Sequence, residues 1–313
     1  MQPAYSVILF TTASGAGLGL LTWLALLALV GAVPVERWLG FTGFSSSLIL
    51  VAGGLLSSTM HLGRPERAWR ALSQWRTSWL SREGVMSVLT VVPAGVLGLG
   101  WVFLERVDGV FAIAAVLAAV CAAGTLYTTG MIYASLRTIR QWHQALTVPI
   151  YVGLGLASGA VLLRALLVVF GRASPWSAWL AMLLLFVGAA LKWAYWLRID
   201  GELREYTPEA ATGLGRLGKV RVLDPPHTQP NFVMREMGYR VARKHAQLLR
   251  KAALLLGFGL PIVFLLVSQA RGLAITGALL ATLSMAAGLL IERWLFFAEA
   301  EHVSMLYYGA DAA

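Results

Sequence analysis

One cysteine, Cys121, occurs in 313 residues. A lone thiol cannot close an intramolecular disulfide or build an iron–sulfur site, which takes several thiolates. Charge is scarce as well: Asp, Glu, Lys and Arg make up 13% of the chain, about half the share in an ordinary soluble domain. Acidic residues are the rarer sign, 15 against 25 basic, which leaves a net charge of +10. No Lys or Arg precedes Arg37. The first apolar stretch therefore lacks the basic start of a cleavable signal peptide and is expected to stay. The apolar stretches also lack the alternation of a membrane β-barrel. No convincing internal repeat is present, which argues against an inverted-repeat transporter.

What is present is long apolar runs. The chain is 58% hydrophobic with a mean hydropathy of +0.72, more than one aqueous core could hide. Candidate spans fall at roughly 6–30, 42–61, 84–104, 109–133, 147–169, 176–197, 250–269 and 273–297. Each approaches the ~20 residues that carry a helix across ~30 Å of hydrocarbon. Backbone groups in lipid must pair within the segment, so the spans are expected to be helical. The expected fold is an all-α polytopic membrane protein: about eight transmembrane helices in one integral-membrane domain over 1–313.

Basic residues are distributed unevenly over the loops. The second loop carries Arg64, Arg67, Arg70, Arg76 and Arg82, and the fourth carries Arg137 and Arg140. The sixth, 198–250, is long and basic, with Arg198, Arg204, Arg216, Lys219, Arg221, Arg235, Arg240, Arg243, Lys244 and Arg250. Odd loops carry little beyond Arg37, Arg106, Arg172 and Arg271. The positive-inside rule places the even loops and both termini in the cytoplasm. The net charge then reflects topology and anionic lipid headgroups, not nucleic acid. Small residues four apart (Gly15 and Gly19, Gly155 and Gly159, Ser284 and Gly288) predict close helix crossings. Trp23, Trp38, Trp101, Trp176, Trp179, Trp193 and Trp294 lie mostly near span ends and read as an aromatic belt.

Ionisable groups at the mouths of membrane helices are costly, so they are the first candidates for chemistry. The second span ends Ser57-Ser58-Thr59-Met60-His61-Leu62-Gly63-Arg64-Pro65, and the third begins Ser81-Arg82-Glu83-Gly84. Together they place one His, one carboxylate and several Arg at the mouth of two adjacent helices. A quinone headgroup needs such a site. Its carbonyls accept hydrogen bonds, and its redox change moves two protons. His61 can bond a carbonyl and titrate, Glu83 can relay a proton, and Arg64 and Arg67 lie close enough to hold charge. Ser57 sits one turn deeper than His61. The plainer reading makes His61 and Glu83 helix-end residues, with Glu83 at the positive end of its helix dipole. A pair of His61 with His143 or His302 could in principle hold haem b near one face. No His lies on the other side, which argues against a haem relay across the bilayer. In the sixth loop, a basic amphipathic segment opens at Asn231. It reads as an interfacial helix on the inner leaflet, as a docking surface, or as both.

Four segments carry a family resemblance: His61-Leu62-Gly63-Arg64-Pro65, Ser78-Trp79-Leu80-Ser81-Arg82-Glu83, Met131-Ile132-Tyr133-Ala134-Ser135-Leu136-Arg137 through Trp142, and Asn231-Phe232 through Arg250. They resemble the membrane anchor subunit of the dimethyl-sulfoxide reductase family, including the related anchor of cytoplasmic sulfite dehydrogenase. The resemblance covers essentially the whole chain. It implies an anchor in a three-subunit enzyme of the bacterial cytoplasmic membrane. The catalytic subunit would hold a molybdopterin cofactor, and a ferredoxin-type subunit would carry four [4Fe–4S] clusters. This chain would exchange electrons with ubiquinone or menaquinone and hold no cluster of its own. The family's quinol-site His and Glu match His61 and Glu83. Arg70, Arg76, Arg137, Arg140, Arg235 and Arg243 are the expected docking residues. Basic loops on the cytoplasmic side suit a cytoplasmic catalytic unit, which leans the reading toward a sulfite dehydrogenase that reduces quinone. The alternative is a dimethyl-sulfoxide reductase anchor that oxidises menaquinol.

Two other classes compete. A small-solute transporter needs a polar path near the midplane. The span centres are nearly free of ionisable groups, and Arg164 and Lys192 are expected to snorkel to the interfaces. A purely structural anchor predicts that His61 and Glu83 are dispensable.

Overall fold

The computed structural model describes residues 2–60, 62–202, 206–224, 228–237 and 241–311. Among them, eight helices are long and apolar enough to cross a membrane, and no strand forms. Six crossings are single helices: α1 (Tyr5–Leu29), α2 (Arg37–Thr59), α3 (Trp79–Leu104), α4 (Val110–Ala134), α5 (Thr147–Val169) and α6 (Pro175–Gly201). Two short helices, α7 (Pro208–Thr212) and α8 (Phe232–Met237), lie between the sixth and seventh crossings. The seventh crossing joins α9 (Val241–Leu254) to α10 (Leu260–Val267) through a π-helical turn at Leu255–Gly259, and α11 (Ala274–Ala298) is the eighth.

Hydropathy sets the middles of these helices, and local chemistry sets their ends. Hydropathy opens the third span at 84, but α3 starts five residues earlier, where the Ser78 hydroxyl accepts a long bond from the Ser81 amide at 3.5 Å. Such a cap satisfies one of the orphan donors of a helix start. Glu83 is thereby drawn inside the helix. The turn between α3 and α4 is as tight as expected. Glu105 takes the left-handed conformation at φ 51° and Gly109 follows at φ 56°. The basic amphipathic segment is not a separate interfacial helix from residue 241 onward. Its α9 part runs straight into the seventh crossing, because Arg250 is anchored there by Asp200 at 2.5 Å and Glu299 at 2.9 Å.

The α1 and α5 helices are the most enclosed crossings: 67% of their most apolar window is buried, against 33–39% in the other six. Glycine makes this possible. A Cβ on Gly19 would overlap the backbone of Gly155, and one on Gly159 would overlap Gly19. The Gly15–Gly19 and Gly155–Gly159 expectation is therefore met by a single backbone-to-backbone crossing. Gly288 abuts Gly257 in the π turn in the same way, and the Ser284 hydroxyl donates to Leu256 O at 2.8 Å. Gly19→Ala is expected to cost about 1–3 kcal/mol, because the obstacle is main chain that cannot rotate away. Thermal denaturation in detergent, with Gly53→Ala as control where a Cβ meets open space, checks this.

Two expectations about polar side chains need correction. Trp38, Trp179 and Trp193 are exposed, as a belt requires, but Trp101 is fully buried and its indole donates to Glu36 O at 3.1 Å. Arg164 does not snorkel. It is buried, and it donates to Ser174 O at 3.1 Å and Ser268 O at 3.0 Å, tying α5 to the segments beside α6 and α10. The Ser268 carbonyl, at the negative C-terminal end of α10, and the Ser174 carbonyl supply the acceptors that an exposed guanidinium would find in water.

Candidate functional site

All the even connections lie at one end of the bundle, the basic end. There the segment 65–77 folds over the start of α3 as a 3-10 helix (Pro65–Gln74) and a turn. Ser81 donates its hydroxyl proton to Ala71 O. Arg82 donates to Trp75 O at 3.0 Å and to Arg76 O at 2.7 Å, while its guanidinium lies 4.2 Å from the Trp79 ring centre. A Cβ on Gly84 would strike Leu72, so the cover sits close.

Beneath this cover is Glu83, only 3% exposed. Its carboxylate meets the hydroxyl of Thr129 on α4. Thr129 Oγ1 also lies 2.9 Å from Thr125 O. A hydroxyl has one proton to give. When it goes to Thr125 O, the contact with Glu83 closes only if the carboxyl donates. The hydroxyl can therefore serve only one of the two acceptors at a time unless the carboxyl carries a proton. Thr90 on α3 and Thr125 on α4 exchange a hydroxyl bond of 3.1 Å, so a short polar ladder follows Glu83 inward between these helices.

The other sequence candidates are placed as follows. His61 lies outside the described residues. Ser57 is buried and donates to Ser6 O at 2.7 Å, joining α2 to α1. Arg64 and Arg67 are exposed, and Arg67 pairs weakly with Glu66 at 3.8 Å. Arg70 and Arg76 are exposed and rest on Trp69 and Trp75, at 5.6 and 5.5 Å from the ring centres. Arg235 is exposed on α8, and the side chain of Arg243 lies outside the described residues. Arg137 and Arg140 line a cleft of about 300 Å3 with His143, Gln144, Arg198 and Glu202. An adjoining cleft of about 340 Å3 shares Arg140 and Glu202 and adds Asp200, Arg250 and Glu299. Glu202 receives Arg198 at 3.0 Å, Arg140 at 3.2 Å and Gln144 at 2.8 Å. Partial burial pushes its carboxyl up, but these donors outweigh burial and hold it below the ordinary range. Burial holds Glu299 above that range in spite of Arg250. The His143 ring nitrogen Nδ1 contacts Ala134 O at 2.6 Å, and that of His302 contacts the Ser304 hydroxyl at 2.9 Å.

Sequence reasoning missed a buried ionic cluster. Lys192 of α6 does not snorkel: it is fully buried and meets Glu292 of α11 at 2.6 Å. Arg293 stands 3.2 Å from the other oxygen of Glu292, and its guanidinium lies 3.9 Å from the Tyr151 ring centre on α5. The Lys192 ammonium is 4.3 Å from the Tyr195 ring centre. Tyr151 and Phe296, which face the Arg293 guanidinium, belong to an aromatic cluster with Tyr133, Trp142 and Phe297, in which Trp142 and Phe296 are stacked at 5.6 Å. Glu292 and Arg293 stand six and five residues from the end of α11, about 9 and 7.5 Å in at 1.5 Å per residue. The signal was an adjacent acid and base inside an apolar run.

Two comparisons bear on this architecture. The family model described as DMSO reductase anchor subunit (DmsC) matches residues 1–309. The chain is also 36% identical to a sulfite dehydrogenase subunit of Allochromatium vinosum, over 331 aligned positions that cover all of both chains. Eight apolar helices and a match from end to end lead to one conclusion: this multi-pass membrane protein belongs to the DMSO reductase anchor subunit family.

Proposed function

We propose that this chain anchors a molybdopterin oxidoreductase in the bacterial cytoplasmic membrane and passes its electrons to quinone, in a complex that oxidises sulfite. Membership of the family implies association with catalytic and electron-transfer subunits. In this reading those are a molybdopterin subunit and a ferredoxin-type subunit with four [4Fe–4S] clusters. They dock at the basic end, which faces the cytoplasm together with both termini. Arg70, Arg76, Arg137, Arg140, Arg235 and Arg243 receive them, and residues 198–250 extend that surface from the single membrane domain 1–313.

The observation that carries the reading is Glu83. It is a buried carboxyl held by a hydroxyl, one turn inside a membrane helix, under an arginine-rich cover at the end where partners would bind. Sulfite and water give sulfate, two protons and two electrons at the catalytic partner. Quinone takes two electrons and two protons to become quinol here. Glu83 supplies a proton to one quinone oxygen, and His61 bonds the other. Arg64 and Arg67 set a positive potential at the mouth, and Ser57 fixes the floor by holding α2 on α1. Whole-chain similarity to a sulfite dehydrogenase subunit supports the substrate.

His61→Ala in the assembled complex tests this. Sulfite-dependent quinone reduction is expected to fall about tenfold or more, while turnover with an artificial dye stays intact. Equal retention of both activities overturns the proposal. The family description supports a second reading, electron flow from menaquinol to a dimethyl-sulfoxide reductase. Membranes that reduce dimethyl sulfoxide and leave sulfite untouched would select it.

A further inference from the structure

Between the Glu83–Thr129 pair and the Glu292 cluster lies a small cavity of about 20 Å3. Its wall includes Thr12 of α1, Thr129 of α4, Tyr151 of α5 and Arg293 of α11. In this set Thr12 Oγ1 is buried with no hydrogen-bond partner among the described residues, and the buried Tyr151 and Arg293 lie against each other, the guanidinium 3.9 Å from the ring centre. A water needs about 10–15 Å3 and two to four polar partners. The cavity offers both.

On the far side of Arg293, Glu292 binds Lys192 at 2.6 Å. Seven residues further along the same face of the chain is Glu299, which lines the wide cleft at the basic end with Asp200 and Arg250. Glu292 and Glu299 are thus about 10 Å apart along the chain axis, and the Lys192 ammonium acts electrostatically on both carboxylates. Polar groups therefore stand at intervals from the open cleft, at Glu299, through Lys192 and Glu292 to the cavity wall at Arg293, and on to Thr129 and Glu83.

We propose that this chain is a proton path that reloads Glu83. In order, it runs from Glu299 at the cleft through Lys192 and Glu292 to a water held by Arg293, Tyr151 and Thr12, and then to Thr129 and Glu83. The proposal rests on Glu83 being the acid of the quinone site. Its content is the direction of supply: protons reach the site from inside the bundle and not through the arginine-rich cover. That cover is closed over Glu83 by Ser81, Arg82 and Leu72. Each proton given to quinone leaves Glu83 as carboxylate. Thr129 then hands over its own proton, and the cavity water replaces it. The water is reprotonated from Glu292 past the Arg293 guanidinium, which keeps its own protons, Glu292 is reloaded by the Lys192 ammonium, and Lys192 by Glu299, which takes its proton from the aqueous phase. Two passages balance the two electrons of one quinol.

Thr129→Val and Tyr151→Phe test the path. Each removes one hydroxyl and keeps the shape, so the fold is preserved. In the intact complex, both are expected to slow sulfite-dependent quinone reduction by about tenfold, the low side of what a positioned proton donor contributes. Both should also raise the solvent isotope effect in heavy water, because proton delivery becomes limiting. Dye-linked turnover should not move. Glu83→Gln is measured alongside. If Glu83→Gln abolishes quinone turnover while both hydroxyl variants stay within twofold and show no change in isotope effect, the path is wrong and the quinone site stands. If Glu83→Gln also retains turnover, the site itself is misplaced and the path falls with it.

Discussion

Glu83→Gln in the assembled complex is expected to lower quinone-coupled turnover by about a hundredfold or more and to leave dye-linked turnover unchanged. The magnitude follows from the role: a positioned proton donor contributes about 10²–10⁴-fold to a proton-coupled step. Glutamine keeps the shape and can still bond Thr129, so the helix contact between α3 and α4 survives. What it cannot do is give up and regain a proton. The dye accepts electrons ahead of the quinone site, so it reports on the partners alone. A purely structural Glu83 predicts the reverse: both activities fall together, or neither does. Glu83→Asp adds a further reading. It keeps the acid but withdraws it by one methylene from Thr129 Oγ1, so it should recover part of the lost turnover and no more.

Much of the bundle was legible because lipid imposes it. Eight apolar runs gave eight crossings, and the glycine pairs at 15/19 and 155/159 met where small residues permit backbone contact. The position of Glu83 was half legible. Hydropathy begins the third span at 84, because Trp79 to Glu83 is mixed in character. The structure begins it at Trp79 with Ser78 ahead of it, so Glu83 belongs to the fifth helical position and is covered by the segment that precedes it. The start of the seventh crossing is hidden for a related reason. The basic stretch Arg243-Lys244-His245 looks like loop and hydropathy opens the span at 250, yet Arg250 folds back onto Asp200 and Glu299 and the helix starts at Val241.

The buried ionic cluster was hidden for a different reason. Lys192, Glu292 and Arg293 each lie within ten residues of a span end, where a single charged side chain can reach water. One at a time they are ordinary. Their meaning is in the contact between α6 and α11, a hundred residues apart in sequence. No periodicity encodes that contact. The same holds for Thr129 and Glu83, 46 residues apart. Local pattern therefore singled out Glu83 and the arginines near it, and only tertiary structure shows that Glu83 meets Thr129.

That cluster leads to the second large effect, which is unequal between partners. Lys192 and Arg293 both rely on Glu292 for an opposite charge. Glu292→Gln leaves two buried cations with no anion beside them. Breaking a buried pair from one side costs about 3–5 kcal/mol, because the abandoned charge keeps its full desolvation penalty. Lys192→Met is different. It removes one cation and leaves Glu292 paired with Arg293, which is always charged. Methionine fills nearly the same volume among Tyr195, Trp196 and Phe296, which line the Lys192 ammonium, so the cost should stay under about 2 kcal/mol. Heating the detergent-solubilised complex through a temperature series, and assaying the fraction still assembled, separates the two. Glu292→Gln should lose assembly well below the temperature that Lys192→Met tolerates. Equal losses would mean that Lys192 and Arg293 do not share Glu292 as a counter-ion, and that the cluster is held by its aromatic packing instead.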